Sequence, residues 1–482
     1  RLYDGEIAYM DEQIGRLLAG LPKGAAVVVV GDHGEMLGEH GESTHGLLLS
    51  RGARRVPLIV AGPGVPAGKT SECLVRTADV VPTLLALAGA PAPGLDGRSL
   101  LPLPPRCDRT SYSESFLPFF AYKWYPLRSL SSNSIFYLKA PQSSLYRIVS
   151  DPDERTDLGA RQPDALRAWE KRLAGMLAGM GETLEPEVRS GGGLTEEQRR
   201  ALASLGYVSG GSGGRVRGDL PDPRRMTEVA ADLHRASAAV QQGRCAEALP
   251  QLQAIVRRDP RNVPALSLAG FCLRQAGRLE SALNAYVQAG RENPLAAVPA
   301  AGAGACLLRL GRTAEAEKEL RRALALDPTQ PEAAAGLARL LRGRGDGAEA
   351  MRVLDAAVEA GSRSPEVYLE RALARAGAGR VEDALRDFRE ASRRSPTDPV
   401  PLEGAARAAY QLGRRREAVQ LYEQLLRLAP NRLDLWKTAG ALYLYDLEDR
   451  PSALRCFRRA LTLEVNPAER ARLEELVREL DG

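Results

Sequence analysis

The stretch GRLESALNAYVQAGRENP, residues 277–294, contains residues whose counterparts return along the second half of the chain. Gly277, Ala282 and Pro294 each belong to a series with a spacing of 34 residues. The series are Gly243, Gly277, Gly311, Gly345, Gly379 and Gly413; Ala248, Ala282, Ala316, Ala350, Ala384 and Ala418; and Pro260, Pro294 and Pro328, continued after one omitted unit by Pro396 and Pro430. This repetition predicts an array of similar units that begins near residue 229.

A 34-residue unit with glycine in its turn, alanine after the turn and proline at its end resembles the tetratricopeptide (TPR) repeat, a helix–turn–helix unit. Two helices that cross closely need small side chains at the crossing. We expect these on the first helices at Gly270, Gly304, Ala338, Ala372, Ala406 and Gly440. Larger residues should fill the space between units, namely Leu252, Tyr286, Leu320, Leu354, Phe388 and Tyr422. About seven repeats over 229–467, the last one irregular, and a polar capping helix at 468–482 therefore form an all-α solenoid.

The first 160 residues alternate helical and strand patterns, as α/β domains do. EIAYMDEQIGRLLAGL predicts a helix with Ile7, Met10, Ile14, Leu17 and Leu18 on one face. The runs AAVVVV and VPLIVAGPG predict strands that are covered on both faces. TADVVPTLLALAGAP predicts a helix that is capped by Thr77 or Asp79 and ends at Gly89. Four short strands should form a small antiparallel subdomain over 109–150.

A connecting region over 161–228 separates these two parts. It comprises a helical tail and a Gly/Ser-rich linker, in which SGGG and SGGSGG flank the short predicted helix LTEEQRRALASLGYV. Glycine and serine in such density are typical of flexible tethers.

Composition excludes several classes of protein. The net charge of +5 comes from 66 basic and 61 acidic side chains, which is too mild for a nucleic-acid surface. No apolar run reaches the roughly 18 residues that a membrane-spanning helix needs. The six cysteines show no CxxC pair, so neither a zinc cluster nor a disulfide framework is indicated and the compartment stays open.

The loop GDHGEMLGEHGESTHG, residues 31–46, holds three of the four histidines. Ligands of open α/β sheets bind beyond strand ends, where Asp32 and His33 lie here between two glycines. A carboxylate beside an imidazole suits Zn or Mn, and a carboxylate alone also suits Ca or Mg. His45 is a candidate further ligand, proton donor or partner of an anionic substrate. We expect His40 and Asp11 to be structural or exposed, and Glu35 and Glu39 either to orient imidazoles or to be solvated.

Five ordered segments around this loop carry a second resemblance. YDGEIAYMDEQIGRLLAGL, VVVVGDHGEMLGEHGESTHG, RRVPLIVAGPGV, TADVVPTLLALAGAPAPGLDGRSLLP and SLYRIVSDPDERTDL together resemble the C-terminal half of a sulfatase-type domain of the alkaline phosphatase superfamily. The resemblance implies that Asp32 and His33 bind the catalytic divalent metal and that His45 contacts the sulfate or phosphate group or assists the leaving group. A histidine at position 33 also resembles the residue found there in family members that act on phosphate esters. The identity of the metal, whether Ca, Zn, Mn or Mg, therefore stays open.

The resemblance also implies a nucleophile, either a Cys or Ser converted to formylglycine or a Thr or Ser used directly, in sequence well before this region. Only 31 residues precede Asp32, and none supplies that motif. We therefore expect the chain to be truncated at its N-terminus and inactive alone.

The sequence thus predicts a metal-dependent, sulfatase-like hydrolase of sulfate or phosphate esters, with a TPR tail whose groove binds a protein or peptide and not nucleic acid. A transferase of phosphoethanolamine or phosphoglycerol groups and a catalytically dead TPR scaffold are the alternatives. The resemblance favours the bacterial periplasm or inner membrane, with any membrane attachment through the missing N-terminus.

Overall fold

The computed structural model describes residues 2–91, 93–102, 108–185, 187–188, 214–215 and 219–482. The chain divides into two compact units, Arg1–Gln242 with Ala254–Asn262, and Gly243–Gln253 with Val263–Gly482. The predicted helix LTEEQRRALASLGYV lies outside the described residues. No helix in the described ranges is both long and apolar enough to cross a membrane.

The first unit contains short helices and two well-defined antiparallel sheets. Its helices are α1 (Leu2–Ala19), α2 (Arg51–Arg54), α3 (Val80–Leu87), α4 (Leu117–Tyr122), α5 (Pro163–Gly179) and α6 (Thr227–Gln241). Its strands are β1 (Val27–Val30), β2 (Leu58–Ala61), β3 (Ser111–Ser115), β4 (Leu127–Ser131), β5 (Ile135–Lys139) and β6 (Ser144–Arg147). A further short pair, β7 (Glu187–Val188) and β8 (Gly214–Arg215), is also antiparallel.

Strands β1 and β2 form where the two apolar runs predict them, but they are not covered on both faces. Among the described strands they pair only with each other, with Val27 opposite Ala61 and Val30 opposite Leu58. Ile59 is 59% exposed and Val30 37% exposed. The expectation of two covered faces was therefore wrong for the described chain, because burial of a strand depends on the segments that pack on it and not on its own residues alone.

The predicted antiparallel subdomain is confirmed as a four-stranded sheet in the order β3-β4-β5-β6. Helix α5 packs on this sheet, and its Leu173 and Leu177 are fully buried with Leu130, Tyr137 and Leu145 of the strands. Alternation along the strands places these apolar side chains on one face. This sheet and α5 thus share one hydrophobic core within the first unit.

Helix α3 begins as expected after a 3₁₀ turn at Thr77–Asp79 and ends before Gly89, whose φ is +67°. Asp79 directly precedes the helix, but its carboxylate does not cap it. The carboxylate instead accepts hydrogen bonds from the backbone N–H of Arg76 and Arg98, each at 2.9 Å, and from the Arg109 guanidinium at 2.8 Å.

Helical hairpins make up the rest of the chain, which confirms an α/β region followed by an all-α solenoid. The helices are α7 (Cys245–Arg258), α8 (Val263–Gln275), α9 (Leu279–Glu292), α10 (Ala297–Arg309), α11 (Thr313–Leu326), α12 (Pro331–Gly343), α13 (Gly347–Glu359), α14 (Pro365–Gly377), α15 (Val381–Arg394), α16 (Pro399–Gln411), α17 (Arg415–Leu428), α18 (Leu433–Ala441), α19 (Arg450–Leu463) and α20 (Pro467–Asp481). Helices α8 to α19 form six hairpins, which correspond to the second to seventh predicted repeats, and the predicted terminal helix α20 follows them.

The repeated residues take the positions that their spacing predicts. All six turn glycines have positive φ, between +74° and +90°, a conformation that side chains with a Cβ rarely adopt. All six alanines are fully buried, and the six larger residues are at most 5% exposed. The seventh repeat is irregular because Leu442–Asp446 forms a π-helical turn, which absorbs one extra residue. The buried alanine of that repeat is consequently Ala453, 35 residues after Ala418.

One disulfide contradicts the reading of the cysteines. Cys245 of α7 is bonded to Cys272 of α8, although the spacing of the cysteines did not indicate a disulfide. The two residues are 27 apart in sequence and meet because each hairpin stacks on the next. Cys306 and Cys456 are buried free thiols, and burial raises the pKa of each to about 11.

Candidate active site

The histidine loop leaves the end of β1 and is fixed by backbone hydrogen bonds to the segment around α2. The Gly31 N–H donates to the carbonyl of Pro57 at 3.2 Å, and the Gly34 N–H donates to that of Ala53 at 2.9 Å. A Cβ at position 34 would collide with the carbonyl oxygen of Gly52. The glycine after the Asp-His pair is therefore required by close backbone approach.

The buried side chain of Glu42 fixes the second half of the loop by hydrogen bonds. Its side chain is buried, and its carboxylate accepts hydrogen bonds from the backbone N–H of Leu47 at 2.8 Å and of Leu48 at 2.9 Å. Burial raises the pKa of Glu42, although the two N–H donors oppose that shift. Glu42 thus fixes the chain immediately after His45, a role that the sequence analysis missed because one acidic residue among glycines carries no distinctive pattern.

Asp32 and His33 present free ligand atoms at the strand end. The Asp32 side chain is 91% exposed, and its Oδ1 accepts the backbone N–H of His33 at 2.9 Å. This hydrogen bond, followed by the charge of His33, lowers the pKa of Asp32, so its carboxylate stays ionised. His33 Nδ1 lies 2.9 Å from the carbonyl of Gly34, which can only accept, so Nδ1 carries the proton. When the ring is neutral, His33 Nε2 therefore carries the lone pair; this nitrogen lies 3.8 Å from Asp32 Oδ2.

The loop brings His45 against His33. The centroids of the two imidazole rings are 3.9 Å apart, with their planes inclined by 32°. His45 Nδ1 lies 3.2 Å from Glu35 Oε2, and the carboxylate accepts a hydrogen bond from its N–H. Glu35 therefore orients an imidazole, one of the two roles that we expected for it, and the opposite ring nitrogen of His45 is left for another partner.

The other polar residues of the loop serve its structure. His40 Nε2 donates to the carbonyl of Asp153 at 2.9 Å, in agreement with the structural role expected for it. Glu39 accepts the backbone N–H of Leu37 at 2.6 Å and orients no imidazole. Asp11 is exposed on α1, as expected.

Asp32 and His33 fit two positions of a divalent-cation site. The chemistry suits such an ion, since an ionised carboxylate oxygen stands beside an imidazole nitrogen whose tautomer is fixed by a carbonyl behind it. Within the described ranges, no group of three or more His, Cys, Asp or Glu side chains is arranged to hold a metal. Metal binding by Asp32 and His33 therefore stays a prediction, for which the described chain offers these two ligands.

A buried ion pair near the loop was also not predicted from the sequence. Arg54 pairs with Glu154, donates to Ser131 Oγ at 2.8 Å and lies 3.7 Å from the centroid of the Phe136 ring. The pair joins α2 to a segment 100 residues later, and no local pattern announces a contact of that range. A cavity of about 140 Å³ lies beside it, lined in part by His40, Glu154 and Arg224. Glu154 and Arg224 are already paired, the latter with Asp222, so the cavity offers no free charge from them.

Comparisons with known proteins find a sulfatase segment in this unit. The sulfatase family profile matches residues 1–90. Choline-sulfatase from Rhizobium meliloti is 33% identical over 172 residues, which are 32% of this chain and 33% of that protein. Arylsulfatase K from Canis lupus familiaris is 26% identical over 197 residues, 36% of each chain, and human arylsulfatase K is 27% identical over 190 residues, 36% of this chain and 35% of that one. The chain spans about a third of the length of these curated relatives.

The same comparisons find TPR repeats in the second half. Tetratricopeptide repeat profiles match residues 233–297, 307–376 and 375–442. A tetratricopeptide repeat protein from Parabacteroides merdae is 20% identical and covers 53% of this chain and 99% of its own, with a TM-score of 0.34. YrrB, described as a TPR protein with an unusual peptide-binding site, is 19% identical and covers 40% and 99%, with a TM-score of 0.35. The chain therefore carries a sulfatase-family segment followed by TPR repeats.

Proposed function

We propose that the protein is a metal-dependent, sulfatase-like hydrolase of sulfate or phosphate esters with a TPR arm that binds a protein. The observation that carries this proposal is the arrangement of Asp32, His33 and His45 on one loop at a strand end, inside the segment that matches the sulfatase family. The curated relatives of that segment are named sulfatases. Neither ester class is preferred by the residues present.

In this proposal the loop residues have different roles, which follow from the atoms that each of them exposes. Asp32 and the Nε2 of His33 would hold the divalent ion, and that ion would supply positive charge that polarises the ester oxygens. Gly34 fixes the His33 tautomer, since its carbonyl accepts the Nδ1 proton. Glu35 holds the Nδ1 proton of His45, so the opposite nitrogen of His45 faces the ester, where it binds the transferring group or gives a proton to the leaving oxygen.

We also propose that residues 1–160 form the C-terminal portion of the catalytic domain. Further polypeptide that packs on the first unit would complete the site. Support comes from apolar faces that the described chain leaves open. On α1, Ile7 is 53%, Met10 62% and Leu17 69% exposed, and Ile59 of β2 is similarly open. Exposed apolar surface of this kind is rare on a complete soluble domain. That further chain would supply the nucleophile, by family resemblance a formylglycine or a hydroxyl residue, and the other metal ligands.

Metal content and ester turnover, measured on the same preparations of the full-length protein, test the proposal. Plasma mass spectrometry should find about one equivalent of a divalent metal per protein chain, or a small whole number of equivalents. Aryl sulfate and aryl phosphate, assayed in parallel, rank the two ester classes. Asp32→Ala and His33→Ala should each remove metal and turnover together, whereas His45→Asn should retain metal and lose turnover by about 10²–10⁴-fold.

Glu39→Gln is the matched control, because Glu39 lies on the same loop but its carboxylate contacts only backbone in the described chain. It should retain both metal and turnover. A full-length protein without metal that hydrolyses neither ester would contradict the proposal and favour the scaffold alternative. Net transfer of a phosphoethanolamine or phosphoglycerol group to an added alcohol, at the expense of hydrolysis, would favour the transferase alternative.

A further inference from the structure

A groove on the solenoid lies between the second helices of the second and third repeats. It is formed by α9, α10 and α11 and has a volume of about 410 Å³. Its floor is apolar, with Val287, Ala300 and Ala303, and Val287 is 39% exposed. Gly290 leaves space in the groove beside Pro299 and Arg322, since a Cβ at this position would contact both residues. The groove therefore has room for a bulky apolar side chain.

The rim of the groove is cationic after its internal ion pairs are formed. Glu315 pairs with Arg312 at 2.7 Å, and Glu319 pairs with Arg322 at 3.1 Å. Two exposed cations of the lining, Arg291 and Lys318, have no acidic partner within the described residues. An uncompensated pair of cations above an apolar floor attracts anionic groups and disfavours cationic ones.

The same solenoid contains an equivalent groove three repeats later, which serves as an internal comparison. It lies between α15, α16 and α17 and measures about 360 Å³. Arg389 occupies the position of Val287 and pairs with Glu417 across the groove. Gln420 replaces Lys318, and Gln424 replaces Arg322. The later groove also has apolar lining residues, namely Leu402, Ala405 and Leu421, but its Arg393, the counterpart of Arg291, pairs with Glu390. An exposed valine and free rim cations are thus not required by TPR stacking, and they distinguish the earlier groove from the later one.

We propose that the groove of α9, α10 and α11 is a docking site for an acidic polypeptide segment that inserts one bulky apolar side chain. The apolar side chain lies on Val287, Ala300 and Ala303, and carboxylates on either side contact Arg291 and Lys318. Charge sets the choice of partner and the apolar anchor sets the residence time. This inference rests on the proposed protein-binding role of the TPR arm and adds the site and the chemistry of the partner.

Fluorescence anisotropy on the full chain tests the site with designed probes. The first probe is a short labelled peptide of glutamates around a central Leu-Phe pair. A second carries Ser-Ser in the centre, and a third carries lysines in place of the glutamates. The first should bind, each of the others should bind at least about tenfold more weakly, and affinity should fall as salt rises.

Variants locate the binding. Arg291→Glu combined with Lys318→Glu should weaken the first probe by about tenfold or more. Val287→Arg, which copies the later groove, should weaken it similarly although it adds positive charge, because the floor is then covered. Arg393→Glu combined with Gln420→Glu, the matched control in the later groove, should change the affinity less than about twofold. Circular dichroism and thermal unfolding confirm that each variant is folded.

Three results would overturn the inference. Equal losses in the two grooves would mean nonspecific attraction to a basic surface. Binding of the first probe that no groove variant weakens would move the site elsewhere on the arm while the arm keeps its protein-binding role. No binding of the first probe to the wild-type chain would reject the acidic partner, whereas loss of ester hydrolysis concerns only Asp32, His33 and His45.

Discussion

Two aspartates of the first unit illustrate opposite uses of one side chain. Asp79 is fully buried, and its carboxylate is surrounded by donors from Arg76, Arg98 and Arg109. Asp32 is almost fully exposed, and its only hydrogen-bond donor in the described chain is the backbone N–H of His33. A buried carboxylate that is fully paired stabilises the fold only while its partners remain, whereas an exposed one is free to bind a ligand.

Asp79→Asn should therefore destabilise the first unit by about 3 kcal/mol, because it leaves Arg109 without its anionic partner and puts an amide among donors. Asp32→Asn should leave the free energy of unfolding unchanged within error while it abolishes metal binding. Urea unfolding of both variants, followed by circular dichroism, measures the difference. Equal stability of the two variants would contradict the role assigned to Asp79.

The pH dependence of this effect has a defined sign. Burial alone raises the pKa of Asp79, but the hydrogen bonds from Arg109 and from the N–H groups of Arg98 and Arg76 outweigh it, and the pKa falls below the ordinary value of 3.8. The stabilisation is thus fully present above pH 3.8 and is lost as the pH falls through the lowered pKa of the folded state. Wild type and Asp79→Asn should converge in stability below that range.

Among the elements, the paired helices of the repeats depend on glycines at their crossings. The ring of Tyr286 on α9 lies between Gly270 of α8 and Gly302 of α10. A Cβ on Gly302 would enter the ring itself, whereas a Cβ on Gly270 would stand 3.0 Å from it. The aromatic side chain is rigid and almost fully buried, so it has little room to move away.

Gly302→Ala should therefore destabilise the repeats by about 1–3 kcal/mol through overpacking, even though alanine favours helix by about 1 kcal/mol. Gly343→Ala is the matched control, since Gly343 also lies on a first helix of this unit but has no atom within 4 Å of a built Cβ. The control should lose no stability. Chemical unfolding of the two variants, monitored by helical circular dichroism, distinguishes overpacking from propensity.

The elements also show which parts of the fold a sequence can predict. The hairpins were predictable because Gly277, Ala282 and their counterparts recur at one spacing, and each repeat packs mainly on its neighbours. The π-helical turn at Leu442–Asp446 was visible only as an irregular seventh repeat. The strands β1 and β2 were predicted from their β-branched runs, but their exposure was not, because it depends on segments elsewhere.

At the site, the same distinction holds between local and distant partners. Asp32 and His33 follow a strand directly, so their place at its end was predictable, and their metal role stays a prediction. The contact between His33 and His45 depends on Glu42 and Glu35, which the loop brings together only when it folds. The pairing of Arg54 with Glu154 and the disulfide of Cys245 with Cys272 join distant segments, and one sequence contains no signal for them.

For the whole molecule, the proposals assign ester chemistry to the loop of residues 31–46 and partner binding to the groove of α9, α10 and α11. Because the two functions use different side chains and different chemistry, they should be separable by independent perturbations unless a shared conformational equilibrium couples them.

A chelator should therefore abolish ester hydrolysis in the full-length protein while the affinity for the glutamate peptide changes less than about twofold. Conversely, Arg291→Glu with Lys318→Glu should weaken peptide binding by about tenfold or more and leave kcat/KM for aryl esters unchanged. Both quantities can be measured on one preparation, with saturating peptide added to the esterase assay as the reciprocal test. If peptide alters kcat/KM, or metal removal alters peptide affinity, the arm regulates the site, since coupling of binding free energies between two sites is reciprocal. If neither occurs, peptide binding and ester hydrolysis are independent of each other.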